Sequence, residues 1–443
     1  MAAEWRNWAG DQRCRPAAIE SVASRDELSA AVARADSAGR RVRVAGAGHS
    51  FTDAACTDGV MLKLDRVNRL LDVDRSSGLV RVEAGIVIGD LAERLAGHGL
   101  ALENQGDIDR QTIAGAISTA THGTGVRFQN LSAQVEAVEL VLPDGGVEAI
   151  DAGSDADGLL AARAGIGALG ALYSVTLRTV PAYTVNRVDR PMALDEVLAS
   201  LDELVDGNDH FEFYAFPHTH TAIARESKRT DEPPRPGSRP REYFQEVVLE
   251  NWLVDGYARI GRTFPSRIPP MARFLAKRVG RSIKVDASHR VFASERRVRF
   301  TEMEYGIPRE HGAEAVRRVW ELIEGGNLRV SFPIEVRFVA ADDVMLSPSH
   351  ERDTCYIAVH MYRGSEWEPY FRGVAEIMDS YGGRPHWGKR HFLTAETLSQ
   401  RYPRWDDFQR VRASLDPEGR FSNSYTDRVL GPVATASRAA RAS

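Results

Sequence analysis

Apolar residues at helical and at strand spacing alternate along the first 180 residues of the chain. Behind Ser24, which can cap a helix, they recur on one helical face at Leu28, Ala31, Val32 and Ala35. Residues 42–45 then predict a strand that runs into a glycine turn. Further strands are predicted at residues 60–64, 79–83, 135–142 and 172–179. This order predicts an α+β domain rich in backbone turns, and Pro181 marks its end.

Two stretches of the second half alternate strictly between apolar and polar residues. A strand sends alternate side chains to opposite faces, so Glu335 and Arg337 are expected on one face of residues 331–339. In residues 355–362 the same rule places Tyr356, His360 and Tyr362 together. A solvated sheet face is the alternative, but such faces usually carry several Lys, Glu or Thr. A few convergent polar groups on a rigid sheet favour the wall of a small-molecule cavity.

The rest of the second half divides into a loop, a mixed region and a tail. Residues 225–241 are rich in Arg, Pro, Glu and Gly and predict an exposed loop, and residues 246–380 mix strands with amphipathic helices such as 314–323. The Ala/Ser/Arg-rich tail is predicted to be disordered. The predicted division is therefore a first domain at 1–180, a second at 181–430 and a tail at 431–443.

Composition narrows the function classes. The net charge of −5 comes without a basic stripe, which disfavours nucleic-acid binding. The three cysteines, far apart in sequence, form no metal-binding pattern and are expected to be reduced thiols, so no metal is predicted. The N-terminus has no signal-peptide pattern and no run of 18 apolar residues occurs, so a cytoplasmic location is predicted. Association with a membrane surface stays possible but is not indicated.

Two glycine-rich stretches suggest a nucleotide cofactor. The first, GAGHSF at residues 46–51, follows a strand, and glycine lets backbone N–H groups approach a diphosphate closely. It lacks the third glycine and the helix of the dinucleotide fingerprint, and alone it is as compatible with a structural turn. The second, GDIDRQTIAGAISTATHGTG at residues 106–125, is dense in small and hydroxyl side chains that suit a backbone laid against a flat cofactor. Together they favour one large dinucleotide.

These motifs, with GALG at residues 167–170 and HWGK at residues 386–389, resemble FAD-linked oxidases of the vanillyl-alcohol-oxidase type. The closest likeness is to the branch of aldonolactone oxidases (gulono- and arabinono-1,4-lactone) and alditol oxidases. The resemblance covers almost the whole chain and implies a two-domain, PCMH-type FAD-binding fold with a sheet-and-helix substrate domain. It also implies oxidation of a small polyhydroxylated substrate.

The resemblance implies a role for each motif in holding FAD. The histidine of the GHS turn carries the flavin covalently in this family, so His49 is expected to form an 8α-histidyl bond. Residues implied beside the diphosphate are Gly46, Ala47, Gly48 and Ser50. Residues implied beside the flavin are Gly106, Asp107, Thr112, Gly115, Thr119, Ala120, Thr121, His122, Leu172 and His386. For His122, a turn histidine bonded to backbone is an equally weighted alternative.

The same resemblance implies a catalytic set. Glu335 and Arg337 match the family's E-x-R pair, His360 matches its active-site histidine, and Lys389 matches the lysine of HWGK. Substrate is expected to contact Asp107, Glu335, Arg337, Tyr362 and Lys389. Because Asp107 and Tyr362 depart from the serine and threonine of alditol oxidases, a lactone is expected, with an alditol as the alternative.

The expected reaction moves hydride from a carbinol carbon to flavin N5 while the substrate hydroxyl loses a proton to a base. His360 is the first candidate for that base, because its ordinary pKa lies near neutrality, and Glu335 is the second. Dehydrogenase relatives have alanine where this chain has Gly106, which implies that O2 reoxidises the flavin and yields hydrogen peroxide. The alternatives are a dehydrogenase that uses another acceptor and, outside enzymes, a nucleotide-binding scaffold protein.

Overall fold

The computed structural model describes residues 4–235, 250–294 and 296–433. Residues 236–241 of the predicted loop and residues 434–443 of the predicted tail lie outside the described residues. No described helix is long and apolar enough to cross a bilayer.

The strands of the first part of the chain form small sheets. In chain order they are β1 (Trp5–Arg6), β2 (Arg13–Cys14), β3 (Ala18–Ser21), β4 (Val42–Ala45), β5 (Val60–Lys63), β6 (Leu70–Asp74), β7 (Leu79–Glu83), β8 (Leu100–Ala101), β9 (Val135–Val141), β10 (Val147–Asp151), β11 (Ala171–Arg178) and β12 (Val180–Pro181). Three parallel strands have the order β3-β5-β4, and five antiparallel strands have the order β10-β9-β11-β7-β6.

Helices α1 to α4 cover these sheets: α1 (Arg25–Ser37), α2 (Ile88–Gly97), α3 (Ile113–Ser118) and α4 (Ala156–Ala162). The α1 helix begins where predicted, because the Ser24 side chain accepts a hydrogen bond from the N–H of Glu27. Its buried residues are those that the spacing predicted: Leu28, Ala31, Val32 and Ala35. The short α3 helix begins at Thr112, whose hydroxyl accepts from the N–H of Gly115.

An antiparallel sheet of eight strands dominates the second part of the described chain. Its strands are β13 (Thr184–Ala193), β14 (His210–Ala215), β15 (Thr221–Thr230), β16 (Ser282–Ala287), β17 (Phe300–Pro308), β18 (Ile334–Val339), β19 (Thr354–Tyr362) and β20 (Arg384–Pro385). They lie in the order β16-β13-β15-β14-β18-β19-β17-β20. Strands β14, β18, β19 and β17 therefore form the middle of the sheet, from which the charged face described below projects.

The helices of this part are α5 (Leu194–Ala199), α6 (Leu201–Asp206), α7 (Glu250–Thr263), α8 (Ile268–Ala276), α9 (Ser288–Phe292), α10 (Gly312–Gly325), α11 (Glu368–Asp379), α12 (Ala395–Ser399), α13 (Trp405–Leu415) and α14 (Ser424–Leu430). Helix α10 confirms the amphipathic pattern predicted at 314–323, because its apolar side packs into the core against the large sheet.

Two large apolar cores lie on either side of the site. The first joins residues between Val22 and Leu177 with segments from near the C-terminus, including Trp387 and Phe421. The second lies behind the large sheet and contains Ile334, Val336 and Phe338 together with Cys355, Ile357, Val359 and Met361. This is the apolar side that strict alternation predicted for both strands.

The expected loop at residues 225–241 is wrong in its first part, because residues 225–230 belong to β15. Composition averaged over the stretch hid a strand whose small residues, Ala222 and Ala224, enter the core. Arg225 on the other face is half-buried and paired, with its Nε 2.8 Å from Asp189 Oδ1 and its Nη1 2.9 Å from Glu212 Oε1. A charged residue stays in a sheet when neighbouring strands supply its partners.

Candidate active site

A cavity opens between the turn after β4, helix α3 and the loop before β11, and its empty volume, open solvent included, is about 900 Å³. Nine of the residues predicted to hold the cofactor line it: Gly46, Ala47, Gly48, His49, Ser50, Thr112, Gly115, Thr119 and Leu172. The two glycine-rich stretches, about sixty residues apart in sequence, thus meet on one cavity as one large ligand requires.

The backbone of the turn after β4 leaves no room for larger side chains at two positions. A Cβ on Gly46 would lie 2.4 Å from the Thr112 hydroxyl oxygen. Gly48 has φ +75°, which favours glycine, and its carbonyl accepts a hydrogen bond from Trp8 N at 2.7 Å. The turn is therefore held close to α3, and no side chain covers its main chain at Gly46 and Gly48. This suits close approach by a diphosphate.

Arg43 is a cofactor-cavity residue that the sequence analysis missed, and it is the only cation lining the cavity among the described residues. Its guanidinium donates hydrogen bonds to the carbonyls of Ala54, Ile166, Gly167 and Phe421. Burial, with the nearby charge of Arg412, lowers the pKa of Arg43 to about 10, so the group stays charged at neutral pH. Its place between two valines in β4 was the available signal.

A second cavity adjoins the first, and His49, Ser50 and Gln111 line both. Its empty volume, open solvent included, is about 470 Å³. Predicted residues on its wall are Gly106, Asp107, Thr121, His122, Arg337, His386 and Lys389. Ala120, predicted beside the flavin, lines neither cavity; it is buried in the first core with φ +55°. The predicted cofactor and substrate residues thus meet along one cleft, with His49 where the two cavities join.

His49 is stacked on Trp8, with ring centroids 5.4 Å apart. Burial, followed by the charge of Arg110, lowers the pKa of His49 to about 4, so its imidazole is neutral at physiological pH. Within the described part of the chain, neither ring nitrogen makes a hydrogen bond to protein. A neutral imidazole at this position has a lone pair available for bonding to a ligand.

Arg337 stands at the centre of a charged face on the large sheet. Antiparallel register places Glu212 of β14 directly opposite it, and its Nε donates to Glu212 Oε2 at 2.8 Å. Its Nη2 contacts Glu335 and lies 3.3 Å from Asp107 Oδ1. Three carboxylates therefore surround one guanidinium, and they raise the pKa of Arg337 well above its ordinary value although burial opposes charge.

Glu335 and His360 line neither cavity, but Glu335 contacts Arg337, which lines the second one. Glu335 Oε2 lies 3.8 Å from His360 Nε2. Burial, with the nearby carboxylates of Asp107 and Glu212, raises the pKa of Glu335 against the opposing charge of Arg337. His360 Nε2 also lies 3.2 Å from Glu302 Oε1. Burial alone would lower the pKa of His360, but Glu302 outweighs it and the pKa is raised.

Lys389 is held between two acidic residues of β17. Its Nζ lies 2.5 Å from Glu302 Oε1 and 2.9 Å from Glu304 Oε2. These carboxylates raise the pKa of the partly buried Lys389 above its ordinary value, although burial opposes charge. Despite burial, Lys389 and His360 hold the pKa of Glu302 at about 2. The pairs keep one positive charge fixed on the wall of the second cavity.

His122 and His386 complete this side of the site. His122 contacts the Gly123 carbonyl through Nδ1 at 2.8 Å and Glu304 through Nε2 at 3.1 Å, so it bonds backbone and also joins the charged network. His386 Nδ1 accepts from the N–H of Gly388 at 3.0 Å. Burial and the charge of Lys389 lower the pKa of His386 to about 3, so it is a neutral ring on the cavity wall.

The sequence analysis missed the carboxylates Glu212, Glu302 and Glu304. A signal existed for Glu212 and Glu304, because each sits between apolar residues in a strand with the alternation that revealed Glu335 and Arg337, whereas Glu302 follows Thr301. Only the strand order β14-β18-β19-β17 brings these carboxylates to one face. That order pairs β14 with β18, which lies more than a hundred residues later in the chain, and no local pattern encodes this pairing.

Tyr362 lines neither cavity. Its hydroxyl donates to Asp255 of α7 at 2.8 Å, and its ring packs with Phe51, Phe300 and Phe332. Tyr362 therefore connects the large sheet to α7 at the margin of the site.

Two groups of buried side chains in the described residues could hold a metal ion by geometry: His122 with Glu304 and His386, and Glu302 with Glu335 and His360. In each group the carboxylates already pair with Lys389 or Arg337. These cations supply the charge that would neutralise the acids.

Comparison with known proteins identifies the family. The family model described as D-arabinono-1,4-lactone oxidase matches residues 175–429, more than half of the chain, and the model of an FAD binding domain matches residues 16–151. The chain belongs to the D-arabinono-1,4-lactone oxidase family. Its relatives include an L-gulono-1,4-lactone dehydrogenase of Mycobacterium tuberculosis, 52% identical over 98% of this chain and 100% of the relative.

More distant relatives agree. An L-gulonolactone oxidase of Bos taurus is 34% identical over 96% of this chain and 98% of its own, and an alditol oxidase of Streptomyces is 31% identical over 97% and 100%. The solved structure titled solvent-stable cholesterol oxidase superposes with a TM-score of 0.82 at 17% identity, covering 97% of both chains, which confirms the predicted fold. Family membership makes this chain an FAD-dependent oxidoreductase acting on CH–OH donors, so the scaffold alternative is set aside.

Proposed function

We propose that this member of the D-arabinono-1,4-lactone oxidase family oxidises a carbinol carbon of an aldono-1,4-lactone of the gulono- or arabinono-type at the join of the two cavities. The observation that carries the proposal is the pair of cations, buried Arg337 and partly buried Lys389, on the wall of the cavity that continues the FAD cavity. When bound there, FAD supplies an acceptor for hydride at flavin N5. We also keep a cytoplasmic location as a prediction.

Arg337 and Lys389 stabilise the negative charge that develops on the substrate oxygen as its proton leaves. Their positions are fixed before substrate arrives, because each is held by at least two carboxylates. Preorganised charge of this kind in a buried site lowers a barrier more than mobile charge in water does. The carboxylates also offset the cost of burying the two cations.

Glu335 is the better base, although the sequence favoured His360. His360 Nδ1 faces the Pro333 carbonyl at 3.3 Å and Nε2 faces Glu302, so both ring nitrogens meet acceptors and both can donate. A ring that donates from both nitrogens is the cation and cannot accept a proton. Glu335 has a raised pKa, which makes its carboxylate a stronger base. His360 then orients Glu335 and stabilises its charge.

A covalent bond between His49 and the flavin C8α methyl group is part of the proposal. Supporting it are the position of His49 where the two cavities join and its neutral ring without protein hydrogen bonds among the described residues. The test is acid precipitation followed by protease digestion and mass spectrometry. The peptide with residue 49 is expected to carry FAD, and His49→Ala is expected to release all FAD into the supernatant.

Oxygen is the acceptor that Gly106 supports, because its lack of a side chain keeps this wall of the second cavity open. A Cβ there would lie 3.1 Å from the His122 carbonyl oxygen and 3.4 Å from Thr121 Cγ2. The relative named L-gulono-1,4-lactone dehydrogenase favours a different acceptor. Air reoxidation of substrate-reduced enzyme, compared with reoxidation by a quinone dye, decides between the two.

The existing contacts of Asp107 and Tyr362 favour a lactone over an alditol as the substrate. Asp107 is engaged by Arg337 and by Arg296, whose Nη2 lies 2.9 Å from Asp107 Oδ2. The Tyr362 hydroxyl is engaged by Asp255. Neither side chain is free to bind an extended polyol without breaking one of these contacts, whereas a compact lactone ring has fewer hydroxyl groups that need partners.

The experiment that tests the proposal is a panel of aldono-1,4-lactones and alditols mixed anaerobically with the flavin-loaded protein. Bleaching of the flavin by a gulono- or arabinono-lactone, with slower bleaching by xylitol and sorbitol, is the expected result. Faster bleaching by alditols would reverse the substrate assignment, and no bleaching by either class would contradict the proposed reaction.

A further inference from the structure

Exposed apolar side chains gather in one part of the molecule. The described residues include seven large apolar side chains that are exposed, and five of them fall between residues 254 and 283: Val254, Ile260, Phe264, Phe274 and Ile283. Phe264, Phe274 and Ile283 are 57–60% exposed. Single exposed apolar residues are ordinary on a protein surface, but this concentration within thirty residues indicates a binding surface.

The same segment is strongly basic. Residues 256–285 contain no Asp or Glu and eight basic residues: Arg259, Arg262, Arg267, Arg273, Lys277, Arg278, Arg281 and Lys284. The segment therefore carries +8 in a chain of net charge −5, which leaves −13 for the remainder. We call residues 254–284 the basic lobe.

Helices α7 and α8 bring these two properties onto the same surfaces. Ile260 lies on α7, Phe264 directly follows that helix, and Arg267 ends the short 3-10 turn that comes next; all three are exposed. On α8, Phe274 is exposed beside Lys277 and Arg278, whereas Ile268 is buried on the inner side. Ile283 projects from β16, the outermost strand of the large sheet. Apolar and basic side chains thus alternate over the outer side of the lobe.

We propose that the basic lobe docks onto the surface of an anionic lipid bilayer. Its apolar side chains enter the boundary between headgroups and acyl chains, and its arginines and lysines contact lipid phosphates. This combination is the one by which amphipathic helices bind membrane surfaces.

The arrangement favours a bilayer over a protein partner. A specific protein interface concentrates its apolar residues in a central patch with a polar rim. In the basic lobe the apolar residues stand singly between basic ones, across two helices and the end of a strand. A fluid anionic surface accepts this distribution without a matching shape.

The lobe adjoins the site already described but takes no part in its chemistry. Asp255 of α7 bonds the Tyr362 hydroxyl, and Arg262 lies over the Tyr362 ring at 5.6 Å. Phe264, Phe274, Lys277, Arg278 and Arg281 line neither cavity of the site. Substitutions at these five positions can therefore test docking while oxidation in solution continues.

The test is co-sedimentation of the full-length, flavin-loaded protein with vesicles of phosphatidylcholine, with or without phosphatidylglycerol. We expect binding that requires phosphatidylglycerol and weakens as salt is raised. Phe264→Ser/Phe274→Ser and Lys277→Glu/Arg278→Glu/Arg281→Glu are each expected to lower the vesicle affinity by at least about tenfold. Lactone oxidation without vesicles is expected to be unchanged in both.

Matched controls change the same residue types elsewhere on the surface. Leu71→Ser/Val147→Ser removes the other two of the seven exposed large apolar side chains, and Arg40→Glu/Arg66→Glu/Arg94→Glu reverses three exposed charges in the first part of the chain. Both controls are expected to bind vesicles like the wild type. Equal loss in controls and lobe variants would overturn the proposal, because binding would then follow net charge or general hydrophobicity.

Three further outcomes would also overturn it. In the first, the wild type does not bind phosphatidylglycerol vesicles. In the second, Phe264→Ser/Phe274→Ser binds them as tightly as the wild type, which would leave only electrostatic adsorption. In the third, light scattering shows a wild-type dimer that the lobe variants convert to monomer, which assigns the surface to a second copy of this chain.

Discussion

The two cavities of the site are built in opposite ways. Around the FAD cavity the wall is mostly main chain, small side chains and hydroxyls, with Arg43 as its only cation among the described residues. Around the second cavity the wall carries ionised side chains, with Arg337 and Lys389 each held by carboxylates from other segments. The first is a shape that backbone conformation dictates, and the second is a charge arrangement that strand order dictates.

The difference separates binding from chemistry. A flat cofactor that makes many hydrogen bonds is held by close approach of the backbone, where a single added Cβ would interfere. A substitution in this wall is therefore expected to lower the fraction of the protein that holds FAD. The reacting carbon and its hydroxyl need fixed charge. A substitution in the wall of the second cavity is therefore expected to lower the rate of flavin reduction. Substitutions in the two walls should therefore separate into cofactor retention and flavin reduction.

The largest effect is expected from the cations of the second cavity. Arg337→Met and Lys389→Met should each slow anaerobic flavin reduction by at least about a hundredfold, because preorganised charge at the substrate oxygen is lost. Stopped-flow absorbance measures the rate, and flavin content should stay near one per chain. Arg296→Met is the matched control, since Arg296 also pairs with Asp107 but does not line the second cavity. A near-normal rate in either Met variant would remove that residue from the mechanism.

Removing a buried cation also leaves its carboxylates without a partner, which can cost several kcal/mol of folding stability. Lys389→Arg keeps the charge and is expected to recover part of the rate. A thermal melt of each variant distinguishes a folded, slow enzyme from a destabilised one.

The next effect is expected from Glu335→Gln, which should slow flavin reduction by about a hundredfold. In the wild type the active form has Glu335 deprotonated, so the rate should fall as pH decreases through its pKa, which burial and nearby carboxylates raise above 4.5. This acid limb should vanish in Glu335→Gln. The control is Glu212→Gln, which also removes a carboxylate beside Arg337 and should keep the fall in rate at low pH. If that fall survives in Glu335→Gln, another residue is the base.

Some of the residues in these predictions could be found from the sequence, and others could not. GAGHSF and the 106–125 stretch are local, and so are the signals that predicted the strand at Val42 and the helix behind the Ser24 cap. Glu335 and Arg337 were found because alternation within one strand is also local. Glu212, which pairs with Arg337, and Glu302 and Glu304, which pair with Lys389, come from two other strands, and such pairing depends on the fold. Residues 225–230 of β15 were taken for a loop for another reason, because the composition of the whole stretch hid the strand.

A smaller effect is expected in the FAD cavity from Gly46→Ala. The added Cβ meets the Thr112 hydroxyl, so FAD affinity should fall by about tenfold, a cost near 1.4 kcal/mol. The affinity is best measured in a His49→Ala background, where FAD is exchangeable. Adding Thr112→Ala removes the clashing atom and should restore part of the affinity, although it also removes the α3 cap. No recovery in the double variant would show that the turn, rather than the clash, limits binding.

The smallest effect is expected from Gly106→Ala, which should slow reoxidation by O2 by about fivefold, an effect near 1 kcal/mol. Reduction by lactone should change less, because the catalytic charges are untouched. Double-mixing stopped-flow separates the two half-reactions. Equal slowing of both would place residue 106 in substrate positioning instead of oxygen access.

The central claim is that one flavin spans both cavities, with its diphosphate against the bare turn and its ring system between His49 and the charged face. A crystal structure of the FAD-loaded protein tests it most directly. We expect electron density for the diphosphate at Gly46 and Gly48 and continuous density from the His49 ring to the flavin. We also expect flavin N5 to face the cavity lined by Arg337 and Lys389. A flavin ring lying away from that cavity, or a diphosphate bound elsewhere, would contradict it.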